Sequence, residues 1–389
     1  MNLSPRIYLD FAATTPVDPR VLDALLPYFS QKFGNPSSVH TFGQQAEAAV
    51  EDARETVASI INCQPGEVVF TSCGTESDNM ALRGAAFAAR QNSNANHILI
   101  TPVEHHAVSR TAQQLAQYFG FEVEYLPVDE FGQVDPQDIS IRLRPDTAIA
   151  SVIYANNEIG TINPIREIGE ICRANGVPFH TDAVQAAAYC LVDVQELNVD
   201  LMSIGAHKFY GPKGVGALYV RQGTKLLAVQ TGGSQEYNVR AGTSNIPYIV
   251  GLAKSLQFTH EERMQRISHL LPLRDQLIER IPTSIPNSQL TGALHPRLPN
   301  HASFTFQHAD GNALLRLLDV EGFACSSGSA CKTGSPEPSE VLTAIGLERD
   351  WALGSLRITL GVSTTPEHIE SFLDILPRVV EKARSISQD

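Results

Sequence analysis

"DLMSIGAHKFYGPKG", residues 200–214, is a short apolar run that closes on a histidine–lysine pair and then a glycine–proline turn. With Val199 in front of it, "VDLMSIG" (199–205) has the length and apolar character of a buried strand. Lys208 then stands at the strand's end. A lysine there is stripped of water, which lowers its pKa and frees the amine to attack an aldehyde. A lone lysine is more often a snorkelling surface side chain, and Lys213, inside "GPKG", fits that description. The rest of the chain has to decide between the two for Lys208.

Outward from this stretch, short apolar runs alternate with helical patterns from about residue 65 to 220. "EVVFT" ends at Thr71, and "ESDNMALRGAAFAAR" follows with helical spacing. "HILIT" (97–101), "FEVEYLPV", "TAIASVIYA" (147–155), "VPFHTD" (177–182) and "GVGALYV" (214–220) continue the series. Strands spaced by helices of this length predict βαβ crossovers and an α/β fold on a mostly parallel, doubly covered sheet. Ligands in such sheets sit at the carboxyl edges of the strands, so polar residues there matter most. Beyond about residue 260 the pattern changes. "EERMQRISHLLPLRDQLIERI" reads as a long amphipathic helix, and "ASFTFQH", "GFACSSGSACKTGSPEPS" and "SLRITLG" read as a smaller α+β domain. The expected division is a large domain over 15–260 and a small one over 1–14 and 261–389.

Composition narrows the function. The 389 residues carry a net charge of −13 with no run of Lys or Arg, which argues against nucleic acid or an anionic membrane as partner. No stretch reaches the length of a membrane span, and "MNLSPRIYLDFAATTP" lacks the charged start and apolar core of a secretory signal. The six cysteines are scattered and form no CxxC pair, so neither a disulfide framework nor a metal site is expected, and a cytoplasmic location fits.

Two further features sharpen the reading of Lys208. Asp182 closes the strand "VPFHTD", 26 residues earlier, and can lie at the same sheet edge. Pyridoxal 5'-phosphate needs a lysine to hold its aldehyde and a carboxylate to keep its ring nitrogen protonated. A strand-end Asp is also a common helix cap. "TSCGTESDN" (71–79) sets Gly74 and Thr75 between a strand and a helix, where free backbone N–H groups suit a phosphate. The same residues read as a capping box, with Thr75 followed by Glu76 and Asp78, and the two readings are compatible.

In order along the chain, "YLDFAATTP", "GNPSSVH", "TSCGTESDN", "VEHHAV", "YANNEIG", "HTDAVQ", "AHKFYGPKG", "RAGT" and "CSSGSACKTGSPEPS" resemble the cysteine desulfurases of the NifS/IscS type. The resemblance covers nearly the whole chain. It implies a fold type I pyridoxal-phosphate enzyme with a seven-stranded sheet. It implies that Lys208 is the Schiff-base lysine, Asp182 the ring-nitrogen partner, and His105 the residue that stacks on the ring and handles protons. His106 is expected to face elsewhere. Asn157 and Gln185 match groups that bond the ring hydroxyl, and Gly74, Thr75 and His207 match the phosphate site. Thr243 matches a residue that reaches the other subunit's phosphate, which implies a homodimer. Arg357 matches the arginine that grips the carboxylate of L-cysteine, a task for a planar bidentate donor, with Asn35 as its helper.

Cys331 sits in "SSGSACKTG", within a loop of small residues at about 326–339, where Lys332 can favour the reactive thiolate. The family motif makes Cys331, rather than Cys325, the nucleophile. Cys63, Cys172 and Cys190 read as small apolar side chains. The implied reaction removes sulfur from L-cysteine, leaves L-alanine and an enzyme persulfide, and passes the sulfur to an acceptor such as an iron–sulfur scaffold. Selenocysteine lyase and cystine or cysteine C–S lyase activities are the alternatives on the same fold, and a catalytically idle assembly subunit is a third. Four departures from the pattern stand out. Gly205 occupies a position where many relatives carry a phosphate-binding serine, and Ser203 lies two residues earlier. Cys73 stands where small residues such as glycine are common. "EYN" replaces the frequent "ERG" before Arg240. Docking of a scaffold through an extended C-terminal tail is not expected.

Overall fold

The computed structural model describes residues 6–328 and 337–388. Strand β1 (Ile7–Tyr8) lies apart from the main sheet, which is built from β2 (Val68–Thr71), β3 (His97–Ile100), β4 (Glu122–Tyr125), β5 (Thr147–Ser151), β6 (Phe179–Asp182), β7 (Leu201–Gly205) and β8 (Gly216–Val220). Their spatial order is β2-β8-β7-β6-β5-β3-β4. Within this sheet β8 runs antiparallel to both neighbours, and the other pairings are parallel. The carboxyl ends of β2, β3, β5, β6 and β7 therefore open on one edge.

Side chains alternate across the two faces, as the pleat requires. Val69, Ile98, Ile100, Leu201 and Leu218 pack on one face with Leu82, Ala85, Val108 and Leu115 of the helices Gly74–Ser93 and His106–Phe119. Phe70, Leu99, Phe179, Met202 and Tyr219 turn to the other face, against Val57 of helix Thr41–Ile61 and Leu252 and Leu256 of helix Ile246–Ser284. Both faces are dry, which explains why these strands read as continuous apolar runs. Each large apolar side chain buried this way contributes about 1.5–3 kcal/mol.

The remaining strands are β9 (Ser288–Leu290), β10 (His301–Phe306), β11 (Phe323–Ala324) and β12 (Ser355–Thr359). Antiparallel β12-β10-β9 forms a small sheet, and β1 pairs in parallel with β11. The long helix differs from the sequence expectation in one respect. It spans Ile246–Ser284, so it begins well before residue 260 and carries the same apolar stripe through Ile249, Ala253 and Leu256 to Leu270 and Leu277. One apolar cluster accordingly runs from Phe179 through Leu277 to Phe304 and Phe372.

A buried ion pair ties β2 to the segment that follows β8. Arg54 donates to the two carboxylate oxygens of Glu236 at 2.8 and 3.1 Å, and the Phe70 N–H donates to the same carboxylate at 2.9 Å. Glu236, Tyr237 and Asn238 all hold left-handed backbone, with φ of 44, 56 and 64°. Three consecutive non-glycine residues persist there only because contacts such as this fork over-determine the turn. Removing one partner leaves the other charged and buried, so Glu236→Ala should destabilise the fold by about 3–5 kcal/mol. Urea unfolding of wild type and variant measures this, and a loss below about 1 kcal/mol would mean the pair is dispensable.

Candidate active site

After β7 ends at Gly205, one turn over Ala206–Lys208 delivers Lys208 to the sheet edge. Its Nζ donates to the carbonyls of Ala12 and Ala13 at 2.6 and 2.8 Å. Burial, and then the nearby charge of Arg357, lowers its pKa to about 8. This is a poised amine rather than a snorkelling one. Gln185 donates to the same Ala12 carbonyl at 2.7 Å, so the Ala12–Ala13 peptide orients both side chains.

Asp182 ends β6 and is 5% exposed. One of its oxygens accepts the Val184 N–H at 2.9 Å, so it caps its own turn while also facing the cavity. Asp78, 1% exposed on helix Gly74–Ser93, lies beside it, and atoms of Asp78, His105 and Asp182 fall within 4.8 Å of one another. Glu104 is buried just behind. Its Oε1 accepts from Thr101 Oγ1 and the Ile153 N–H, and burial raises its pKa to about 8. Burial raises Asp78 and Asp182 as well, Asp78 further because Asp182 is near. Asp78 Oδ1 lies 3.5 Å from His180 Nε2, whose pKa burial lowers to about 3, so that ring brings it no charge.

The cavity in front of these groups holds about 240 Å³. At its other end helix Gly74–Ser93 begins. Its N-cap is Cys73, which makes no side-chain cap bond, and the capping box expected at Thr75 is therefore absent. Glu76 turns outward instead. It accepts the Ser72 N–H and pairs with Arg240 at 2.8 Å. The first amides of the helix are left to face the cavity, where an anion would sit. Gly74 is needed there, since a Cβ would come within 2.6 Å of Val184 Cγ2. Cys73 thus has a place, as a small lining residue of the cavity.

His207 lines the same end. Burial, and then Lys208, lowers its pKa to about 4, so it is a neutral ring with Nδ1 3.2 Å from Thr14 Oγ1. Ser203 does not substitute for the serine that Gly205 replaces, because its hydroxyl lies 3.0 Å from His180 Nε2 in the sheet interior. A Cβ at Gly205 would meet the Gly74 nitrogen at an ordinary 3.5 Å, so there is room for a side chain.

His105 caps helix His106–Phe119. Its Nδ1 accepts the Ala107 N–H at 3.1 Å, which places the ring proton on Nε2. Burial lowers its pKa and keeps the ring neutral. His106 turns away toward Glu340, 3.7 Å distant. Asn157 lines the cavity, and its carbonyl accepts from Arg357 Nη1 at 3.1 Å. Arg357, in β12 and 7% exposed, also donates from Nη2 to Asp10 at 2.9 Å. It is a fixed cation at the mouth and not a surface ion pair.

Fit to pyridoxal phosphate follows from this donor set. A protonated ring nitrogen would supply the cation that the buried carboxyls lack, and the uncapped helix end matches the phosphate. Lys208, Asp182, His105, Asn157, Gln185, Gly74, Thr75, His207 and Arg357 all line this one cavity. Asn35 and Thr243 are exposed and do not line it, and Asn35 Oδ1 accepts the Ser37 N–H instead. Cys331 and Lys332 lie outside the described residues. Burial raises the Cys325 thiol well above its usual range, and raises Cys63, Cys172 and Cys190 to about 12, so none of these favours a thiolate. Sequence reasoning missed Asp10, Asp78, Glu104 and the Ala12–Ala13 carbonyls. "YLDFAATTP" and "TSCGTESDN" contain most of them, but their partners are distant in sequence.

Comparison with known proteins agrees with this geometry. The aminotransferase class-V family model matches residues 7–372. Cysteine desulfurase IscS of Dictyoglomus turgidum is 48% identical over 98% of this chain and 96% of its own. A solved NifS-like protein superimposes with a TM-score of 0.90 at 35% identity, covering 97% of this chain and all of its own. SspA in complex with cysteine superimposes with a TM-score of 0.79, also at 35% identity, over 92% of this chain and 99% of its own. With a lysine, a carboxylate and an open helix end around one cavity, and relatives matching from end to end, the chain belongs to the aminotransferase class-V family of pyridoxal-phosphate enzymes.

Proposed function

We propose that the chain is a cysteine desulfurase, taking sulfur from L-cysteine, releasing L-alanine and carrying the sulfur as a persulfide on Cys331. The observation that carries the reading is the desolvated amine of Lys208 facing the same cavity as the buried Asp182 and the fixed cation Arg357. The lyase alternatives are not favoured, because relatives of this identity and coverage are named for desulfuration. The two-domain division at 15–260 against 1–14 and 261–389 is part of the proposal, supported by the separate small sheet of β9, β10 and β12.

Bound pyridoxal phosphate supplies an electron sink for carbanion chemistry at the substrate's α-carbon. Lys208 would hold its aldehyde, Asp182 its ring nitrogen, Asn157 and Gln185 its ring hydroxyl, and Gly74, Thr75 and His207 its phosphate, since all of them line the one cavity. His105, lining the same cavity, would lie against the ring and handle protons. Arg357 binds the cysteine carboxylate, preoriented by Asp10 and the Asn157 carbonyl, with Asn35 as helper. Lys208 Nζ is the base that takes the α-proton, since a pKa of about 8 leaves a useful neutral fraction near neutral pH. The thiolate of Cys331 attacks the substrate sulfur. A sulfur–sulfur bond forms, the carbon–sulfur bond breaks, and its electron pair stays with the carbon fragment that becomes alanine.

The protein is proposed to work in the cytoplasm as a homodimer, with Thr243 reaching the partner's phosphate and an iron–sulfur scaffold or similar protein accepting the sulfur. Among the described residues, the five cysteines form no disulfide and no helix is long and apolar enough to cross a membrane, which accords with that setting. A row of exposed apolar side chains, Leu22, Leu26, Phe29, Phe33 and Phe42, offers a face for a second copy.

Purified wild type should be yellow and Lys208→Ala colourless by visible absorbance. Cys331→Ala should stay yellow but release no sulfide from cysteine under a thiol reductant, and undiminished sulfide would remove Cys331 from the scheme. Capture of the cofactor by apoenzyme should accelerate about tenfold between about pH 7 and about pH 9, as Lys208 loses its proton, and level off above. Stopped-flow absorbance records this, and a rate still climbing toward pH 10 would indicate a solvated amine. Light scattering over a dilution series should find a dimer, while a fully active monomer would contradict the shared site.

A further inference from the structure

The loop after β5, "ANNEIG", does more than present Asn157. Asn156 is buried, and its side-chain oxygen accepts the N–H groups of Glu158 and Ile159 at 2.8 and 3.0 Å, while its amide donates to the Val103 carbonyl. The Asn157–Glu158 peptide is thereby held in place. On one side the Asn157 carbonyl takes a hydrogen bond from Arg357. On the other, the Glu158 carboxylate accepts the hydroxyl proton of Ser339.

Ser339 is 3% exposed and fully engaged. Its oxygen also accepts the Val341 and Leu342 N–H groups at 3.1 and 3.2 Å, capping helix Glu340–Ala344. Gly328 closes on the same point. A Cβ there would stand 2.5 Å from Glu158 Oε2 and 3.1 Å from Ser339 Cβ, so any larger residue would push the Glu158 carboxyl aside. Two residues earlier, Ser326 exchanges backbone hydrogen bonds with Arg357, the Arg357 N–H donating at 2.7 Å and the Ser326 N–H at 3.3 Å. Residues 328 and 339 flank the part of the chain that holds Cys331.

We propose that Glu158 is a positioning residue for sulfur transfer, clasping Gly328 and Ser339 so that the segment bearing Cys331 starts and ends at one point fixed relative to Arg357. This rests on the reading of Cys331 as the sulfur acceptor. A nucleophile tethered at two adjoining points searches a smaller volume around the substrate than one tethered loosely, and reacts faster for it. Breaking the hydrogen bond would leave a part-buried carboxyl and a buried hydroxyl unpaired, which holds such a junction together. Arg357 completes the coupling, since it grips the substrate and shares a peptide with the clasp.

The holoenzyme variants Glu158→Gln, Ser339→Asp, Ser339→Thr and Cys331→Ala test this. Ser339→Asp keeps a good helix cap but sets a like charge against Glu158. Glu158→Gln and Ser339→Asp should lower kcat for sulfide release about tenfold or more. KM for cysteine, cofactor absorbance and the spectral change on adding cysteine should stay within about twofold of wild type. Ser339→Thr, which can both cap and donate, should restore kcat to within about threefold. If Ser339→Asp and Glu158→Gln turn over like wild type while Cys331→Ala is dead, the clasp is wrong and the desulfurase reading stands. The clasp is likewise refuted if kcat, KM and the spectrum all shift together, because Glu158 would then shape the cofactor site. Sulfide release by Cys331→Ala at the wild-type rate would sink both.

Discussion

Charge burial without a counter-charge is the constraint on which the site depends. Asp78, Glu104 and Asp182 are withdrawn from water beneath one cavity, and His105 beside them stays neutral. Isolated buried carboxylates are costly, and proteins relieve them by protonation or by a partner cation. Lys208 sits across the same space with its amine held by two backbone carbonyls instead of a carboxylate. The interior thus keeps an acid and a base apart, each shifted toward its neutral form and each lacking what a pyridinium aldehyde would supply.

Parallel-sheet topology makes the arrangement possible. Five loops leave the carboxyl edges of β2, β3, β5, β6 and β7, and each contributes at least one side chain to the cavity. The antiparallel insertion of β8 between β2 and β7 sets the Gly74 helix end beside the turn that holds Lys208. Arg357 arrives from the small sheet and Ala12–Ala13 from the N-terminal segment, so the site closes only when elements more than three hundred residues apart in sequence meet.

That division explains what could be read in advance. Strand positions, the α/β class and the placement of Lys208 and Asp182 on one cavity follow from local patterning, since period and strand-end position are written in neighbouring residues. The roles of Asp10 and Glu158 are not local. Asp10 acquires meaning from Arg357, 347 positions away, and Glu158 from Ser339, 181 away. The long helix started earlier than its amphipathic stretch indicated because "IPYIVGLAKSLQ" extends the same buried stripe toward the N-terminus, through Ile249, Leu252 and Leu256. The capping box failed at Thr75 because the helix begins one residue before it, at Gly74, and Glu76 answers to Arg240. In both cases a tertiary partner overrode a sound local preference.

The Glu76–Arg240 pair also bears on the departure around "EYN". In place of an extra arginine, the turn carries Tyr237 and Asn238 in left-handed backbone, pinned by Glu236 to Arg54. Arg240 follows the turn at once and anchors to Glu76 in the first turn of helix Gly74–Ser93. Strain in the turn, the buried fork beneath it and the ion pair beyond it therefore act on one short stretch leading to Thr243.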